Sequence, residues 1–131
     1  MSGRLALDTN TYSALDKGNP VAVTAVSNAH IIGIPIIVLG ELYFGFENGN
    51  KRERNITDLN RFMALNDFEI LHINERTARI FGEISAELAA IGRPIQQNDI
   101  WIASLCKQHA YTLITGDGGF KYIKGLDIIS F

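Results

Sequence analysis

The segment RLALDTNTYSALDKGNP, residues 4–20, changes its pattern at Asp8. Residues 4–8 have the length and apolar content of a short buried strand. Residues 9–17 are expected to form a helix, because Gly18-Asn19-Pro20 follows them as a stop signal. A short buried strand followed directly by a helix is the repeating unit of α/β proteins. This segment therefore predicts an α/β fold.

The same alternation continues along the rest of the chain. Further strands are predicted at residues 30–34, 68–73, 111–115 and 126–130. Further helices are predicted at residues 21–28, 35–48, 51–66 and 74–91, and from Asp99 onward, with Pro35 in the first turn of its helix. Short apolar strands separated by helices indicate a parallel sheet covered by helices. We therefore predict one domain over residues 1–131, with a central parallel sheet flanked by helices.

Composition limits the class of protein. The chain has 131 residues and a net charge of −2, which argues against a general nucleic-acid coat protein. Its single cysteine, Cys106, excludes an internal disulfide and a thiolate zinc site, and we expect it to fill the core. No apolar run reaches the roughly 18 residues that a membrane span needs. The start of the chain, MSGRLALDTN, lacks the apolar core of a signal peptide, so we expect a cytoplasmic protein.

Four acidic residues follow or flank predicted strand ends, where ligands bind in parallel sheets: Asp8, Glu41, Asp99 and Asp117. Structural roles are open for three of them. Asp8 could cap the helix that follows it. Asp99 could favour a helix dipole, with Asn98 as the cap, and Asp117 could belong to a glycine-rich turn.

The surroundings of Glu41 and Asp99 favour a functional role. Glu41 lies in VLGELYFG without charged neighbours, and Asp99 heads the apolar helix that contains Trp101, which we expect in the core. Carboxylates that converge on one crevice repel each other unless cations neutralise them. Oxygen ligands without histidine or thiolate favour Mg²⁺ or Mn²⁺. Such a site is suited to hydrolysis of phosphodiester bonds by activated water.

Four segments in this order, LALDTNTYS, VLGELYFGFENG, GRPIQQNDIWIASL and TLITGDGGF, resemble the PIN-domain nucleases. The resemblance is to the VapC-type toxins of prokaryotic toxin–antitoxin pairs, and it covers essentially the whole chain. It implies a PIN-like fold and a Mg²⁺-dependent (or Mn²⁺-dependent) endoribonuclease. Many relatives carry a histidine at the position of Gly119, so a local RNA contact of the family is in doubt here.

The resemblance also assigns roles to residues of this chain. The catalytic residues it implies are Asp8, Glu41, Asp99 and Asp117. The metal ligands it implies are Asp8 and Asp99 most directly, together with Asp117. Asn10 and Thr115 are implied as supporting residues that act by hydrogen bonding.

The expected partners follow from the same resemblance. They are an RNA substrate, with tRNA as the leading candidate, a VapB-like antitoxin and a second copy of this chain. We expect the antitoxin to lay an apolar or helical segment along residues 41–46, where Tyr43, Phe44 and Phe46 exceed the needs of one buried face. Arg93, Lys121 and Lys124 flank the acidic segments. They are either solvated surface residues or contacts to RNA phosphates.

Two alternative functions are compatible with parts of the sequence. A haloacid-dehalogenase-type phosphatase also begins with an aspartate at a strand end and carries a GDG motif. That chemistry needs a second aspartate two residues after the first, where this chain has Asn10. A non-catalytic module with the same fold is the other alternative, although all four acids are present.

Overall fold

The structure is a computed structural model that describes residues 3–131. Five strands form one sheet: β1 Arg4–Leu7, β2 Ile31–Pro35, β3 Phe68–Leu71, β4 Thr112–Thr115 and β5 Ile128–Ser130. Their order is β3-β2-β1-β4-β5, and each neighbouring pair is parallel. The predicted parallel sheet is confirmed, with β1, the strand before Asp8, at its centre.

Helices connect the strands: α1 Thr9–Asp16, α2 Pro20–Asn28, α3 Ile36–Asn48, α4 Arg52–Leu65, α5 Glu75–Ala90 and α6 Gln97–His109. A 3₁₀ helix, Gly118–Tyr122, follows β4. The α5 helix begins at the predicted cap, because Asn74 and Thr77 form a reciprocal capping box.

Several predicted ends are wrong by one or two residues. Pro35 is not in the first turn of α3: it ends β2, where it pairs with Leu71 of β3 in an extended conformation. The third strand ends at Leu71 rather than at residue 73, and the last begins at Ile128 rather than at residue 126. In each case strand pairing, which is not visible in one segment alone, decides where the strand begins or ends.

The core lies on both faces of the sheet. Leu5, Ala6 and Leu7 of β1 are 4%, 0% and 0% exposed, as expected for a central strand covered by helices on both sides. Cys106 of α6 is fully buried, which confirms its role in the core. Trp101 is only half-buried and stacks on Phe81 of α5, with ring centroids 4.1 Å apart.

A glycine in β2 allows an aromatic ring to cross the sheet. A Cβ atom at Gly33 would lie 2.6 Å from Cε2 of Tyr111, which is closer than real Cβ contacts. The Tyr111 hydroxyl donates a hydrogen bond to Glu69 of β3, and the guanidinium of Arg4 lies 4.5 Å from the centre of the ring. This arrangement ties β4 to β3 across the two strands between them.

Parallel strands bring their carboxyl ends to one edge of the sheet. The α1 helix begins directly after β1, α3 directly after β2, and the 3₁₀ helix shortly after β4. Helix α6 precedes β4 and returns along the sheet, so its first turn lies at this same edge. Among residues 3–131, no helix is both long enough and apolar enough to cross a bilayer.

Candidate active site

A cavity of about 760 Å³ lies at the carboxyl ends of the strands. It is lined by Asp8, Thr9, Asn10, Glu41, Pro94, Ile95, Gln96, Asp99, Ile102 and Asp117. The structure thus brings all four predicted acids to one cavity, although they come from four different segments of the chain. Asn10 lines the cavity as well, with an exposed side chain.

Asp8 is the most buried of the acids, at 5% exposure. Its Oδ1 accepts a hydrogen bond of 2.9 Å from the backbone N–H of Thr11, so Asp8 caps α1. Its Oδ2 accepts a hydrogen bond from the hydroxyl of Thr115. The structural and functional interpretations of Asp8 are therefore compatible, because the capping carboxylate also lines the cavity.

Thr11 was missed by the sequence analysis. Its fully buried hydroxyl lies 2.6 Å from Asp8 Oδ1 and 2.6 Å from the carbonyl oxygen of Ile114. The hydroxyl has a single proton, so it donates to only one of these two oxygens at a time. The close packing holds the Asp8 carboxylate against β4. The sequence signal was the spacing D-x-x-T, since a residue three positions after a capping aspartate returns to its side chain.

Thr115 connects two of the acids. Its hydroxyl donates to Asp8 and accepts a hydrogen bond of 2.9 Å from the backbone N–H of Asp117. Asp117 Oδ1 in turn accepts a hydrogen bond of 2.8 Å from the N–H of Gly119, at the start of the 3₁₀ helix. Asp117 therefore belongs to the glycine-rich turn, as the structural alternative proposed, and it also lines the cavity.

Glu41 is half-buried on α3 and faces α1. Its Oε1 accepts a hydrogen bond of 2.7 Å from the hydroxyl of Thr9, the residue directly after Asp8. This contact joins the second turn of α3 to the first turn of α1 and orients the Glu41 carboxylate. Thr9 is a second residue that the sequence analysis missed, because the contact spans 32 residues.

Asp99 lies in the first turn of α6. The alternative with Asn98 as the cap is wrong in that detail: Gln96 occupies the cap position, and no side chain caps the helix. Gln96 is extended and Gln97 is the first helical residue, so Asn98 already lies inside the first turn.

The pKa of Asp99 is raised from 3.8 to about 6. Burial is the largest cause, since it disfavours the charged carboxylate, and the charges of Asp117, Glu41 and Asp8 follow in that order. The four acids are therefore close enough to influence one another. A bound cation would relieve this repulsion.

The acids do not form a closed set of metal ligands in this conformation. Among residues 3–131, no three Asp, Glu, His or Cys side chains are close enough together to hold one ion. The shared cavity and the raised pKa of Asp99 nevertheless fit an open site. Mg²⁺ is usually held by one or two carboxylates and several waters rather than by a cage of protein ligands.

Comparison with known proteins agrees with this geometry. The family model described as PIN domain matches residues 5–126. Ribonuclease VapC2 of Haemophilus influenzae is 33% identical over 113 residues, 85% of this chain and 84% of that protein. The tRNA(fMet)-specific endonuclease VapC of Shigella flexneri is 29% identical over 126 residues, 94% of each chain. The crystal structure of VapBC2 from Rickettsia felis, bound to a DNA fragment from their promoter, superposes with a TM-score of 0.85 at 30% identity, over 97% of this chain and 98% of that chain.

This chain belongs to the PIN-domain family. Within that family it is a VapC-type endoribonuclease, the toxin component of a toxin–antitoxin pair. Ribonucleases of this type generally depend on a divalent metal ion. The family assignment argues against both the phosphatase and the non-catalytic alternatives.

Proposed function

We propose that this ribonuclease binds Mg²⁺ or Mn²⁺ through Asp8, Asp99 and Asp117 and cleaves tRNA, with Glu41 completing the site. The observation that carries the proposal is the convergence of all four acids on one cavity, where burial and the neighbouring charges raise the pKa of Asp99. All four are hard oxygen donors, which suit these two ions. A divalent cation bound there supplies Lewis acidity toward phosphate and water.

The chain's own residues prepare the acids for this role. Thr115 and Thr11 hold the two oxygens of Asp8, and Thr9 holds one oxygen of Glu41. Fixing the carboxylates before substrate binds reduces the reorganisation that the reaction requires. The other oxygen of Glu41 remains for a cation or for one of its waters.

The substrate proposal rests on the relatives and on the shape of the site. The Shigella flexneri relative is named as a tRNA(fMet)-specific endonuclease, which supports tRNA as the substrate class. The cavity opens at the surface between the first turns of α1 and α6. Single-stranded or looped RNA can bend its backbone into such an opening, whereas a regular duplex presents its phosphates on a stiff cylinder.

A VapB-like antitoxin is the proposed protein partner, and a homodimer is the proposed assembly. Phe44 is 71% exposed and Tyr43 is 38% exposed on α3, within one turn of Glu41. Phe46 is partly buried against the core and meets Tyr43 edge to face, so the apolar surface consists mainly of Tyr43 and Phe44. The Rickettsia felis structure supports the antitoxin, because it is a structure of VapBC2.

The proposal is tested with protein purified free of any antitoxin. We expect it to cut tRNA in Mg²⁺ or Mn²⁺ and to stop in EDTA, while a small phosphomonoester remains intact. Asp8→Asn and Asp117→Asn should each reduce cleavage by orders of magnitude, whereas Glu83→Gln, an exposed acid on α5, should not. Undiminished cutting in EDTA would rule out the metal mechanism.

The support of Asp8 is tested with a matched pair of variants. Thr115→Val keeps the shape of the side chain but removes the hydroxyl that links Asp8 to Asp117, whereas Thr115→Ser keeps the hydroxyl. We expect the valine variant to lose most activity and roughly 1–3 kcal/mol of stability, because buried polar groups lose a partner. Equal activity in the two variants would show that the hydroxyl does not support catalysis.

A further inference from the structure

Two basic side chains share one aromatic ring at the end of the 3₁₀ helix. The guanidinium carbon of Arg93 lies 4.5 Å from the ring centre of Tyr122, and the ammonium of Lys121 lies 5.2 Å from it. Arg93 and Lys121 are exposed and Tyr122 is half-buried. We call these three residues the Arg93 cluster. Within residues 3–131, neither Arg93 nor Lys121 forms a salt bridge with a carboxylate.

Two segments of the chain connect the Arg93 cluster to the acidic cavity. Arg93 directly precedes Pro94, which lines the cavity, while Lys121 and Tyr122 lie on the 3₁₀ helix that Asp117 caps. These two segments also touch nearer the cavity, where a Cβ at Gly119 would meet Ile95 at 3.2 Å. Five residues of 3₁₀ helix span roughly 10 Å, so the cluster lies beside the cavity, about that distance along the helix from Asp117.

Charge explains why the site needs such a cluster. The chain has a net charge of −2, and four of its carboxylates lie together in the cavity, where they repel RNA phosphates. Attraction for RNA therefore has to come from local cations near the cavity. A guanidinium stacked on a ring is already oriented, so it loses less conformational freedom when it binds a phosphate with its N–H groups.

We propose that the Arg93 cluster binds a backbone phosphate of the RNA beside the cleavage site and positions the strand over the acids. The proposal rests on the ribonuclease function proposed above. Arg93 and Lys121 supply the charge, and Tyr122 holds the guanidinium in place. Lys124, exposed in the turn that follows, is not needed for this contact.

The experiment uses a short fluorescein-labelled RNA stem-loop and the full chain free of antitoxin. Binding is measured by fluorescence anisotropy in EDTA, where metal-dependent turnover is absent, over a series of salt concentrations. Cleavage of the same RNA is measured in Mg²⁺. The variant Arg93→Gln/Lys121→Gln is compared with Arg76→Gln/Arg79→Gln, which removes the same charge from exposed positions on α5.

The Arg93/Lys121 variant should bind RNA about tenfold more weakly and cleave it correspondingly more slowly at low RNA concentration. The slope of log affinity against log salt should fall by roughly 0.7, because one single-stranded phosphate contact contributes about 0.7. The Arg76/Arg79 control should keep the wild-type slope. Tyr122→Leu should reproduce part of the loss and Tyr122→Phe should not, since the phenyl ring retains the stack.

Two outcomes overturn the proposal. If wild type cleaves RNA and the cluster variant matches it in affinity and salt slope, the cluster does not contact the strand. If the two double variants lose equal affinity, the effect is one of net charge. A wild-type chain that neither binds nor cleaves RNA would instead overturn the proposed function itself, and this inference with it.

Discussion

Asp99 illustrates at the scale of one residue how a functional carboxylate affects the stability of the free protein. Burial and three neighbouring acids raise its pKa to about 6, so the folded chain holds this proton more tightly than the unfolded chain does. Between about pH 4 and pH 6 the native state therefore binds more protons, and stability from this group falls as pH rises. Above about pH 6 the native state carries the full penalty of the charge.

We predict that Asp99→Asn raises the metal-free stability by about 1 kcal/mol at pH 7. A shift of about two pKa units corresponds to roughly 3 kcal/mol, but Asp99 is partly exposed, so solvent screening reduces the effect. The loss of a favourable interaction with the helix dipole subtracts a few tenths of a kcal/mol. The measurement is chemical unfolding in EDTA at pH 7 and pH 4, and the gain should largely disappear at pH 4.

Glu75→Gln provides the matched control for this prediction. Glu75 occupies the first turn of α5, as Asp99 occupies the first turn of α6, but it is exposed. Its substitution should cost a few tenths of a kcal/mol, as for a simple helix-dipole partner. If Asp99→Asn behaves like Glu75→Gln, then Asp99 is only a helix-dipole partner and the repulsion argument is wrong.

At the scale of elements, α3 carries both an acid of the site and an exposed aromatic surface. We predict that Phe44→Ser weakens the binding of the VapB-like antitoxin at least tenfold, because an exposed aromatic is a typical anchor of an interface. The free energy of unfolding should change by less than about 0.5 kcal/mol, since Phe44 is 71% exposed. Binding is measured by titrating purified antitoxin into each variant.

Ile91→Ser is the control, because Ile91 is 54% exposed at the end of α5, on another part of the surface. It removes a large apolar side chain in the same way and should leave antitoxin affinity unchanged. Equal weakening by both substitutions would show a general loss of surface hydrophobicity. Unchanged affinity in Phe44→Ser would remove α3 from the proposed interface.

The order and type of the elements could be predicted from sequence because each one carries its own signal. The apolar strand ending at Asp8, the Asn74 cap and the glycine stops are local features of the chain. The predicted ends of strands were less accurate, because strand ends depend on pairing. Pro35 is extended beside Leu71, although a proline at this point also suits the start of a helix. The Gly33–Tyr111 contact could not be predicted, because it joins positions far apart in sequence.

The acids of the cavity could be predicted for a simple reason. Carboxyl ends of parallel strands share one edge of the sheet, so the segments that hold acids at those ends must meet there. The hydrogen-bonding threonines were found only in part: Thr115 came from the family resemblance, while Thr9 and Thr11 were missed. Which hydroxyl reaches which carboxylate depends on side-chain orientation, and one sequence does not specify this.

At the scale of the whole molecule, metal binding, protonation and folding are linked through the same cavity. A cation that binds only the folded state stabilises it by about 2.7 kcal/mol at a concentration 100 times its Kd. Protons compete with that cation, because a protonated Asp99 cannot act as an anionic ligand. The stabilisation by metal should therefore depend on pH near the raised pKa of Asp99.

We predict that Mg²⁺ stabilises wild type by a larger increment at pH 7.5 than at pH 5. At pH 5 Asp99, with a pKa of about 6, is mostly protonated, so the site binds metal more weakly and the increment shrinks. Asp99→Asn should show a smaller increment at pH 7.5 and a weaker dependence on pH, while Glu75→Gln should follow wild type. Thermal unfolding with Mg²⁺ and with EDTA at both pH values gives each increment as a difference, so effects of pH that do not involve metal binding cancel. Equal increments at the two pH values in wild type would mean that the proton on Asp99 and the cation do not compete, and Asp99 would then lie outside the metal site.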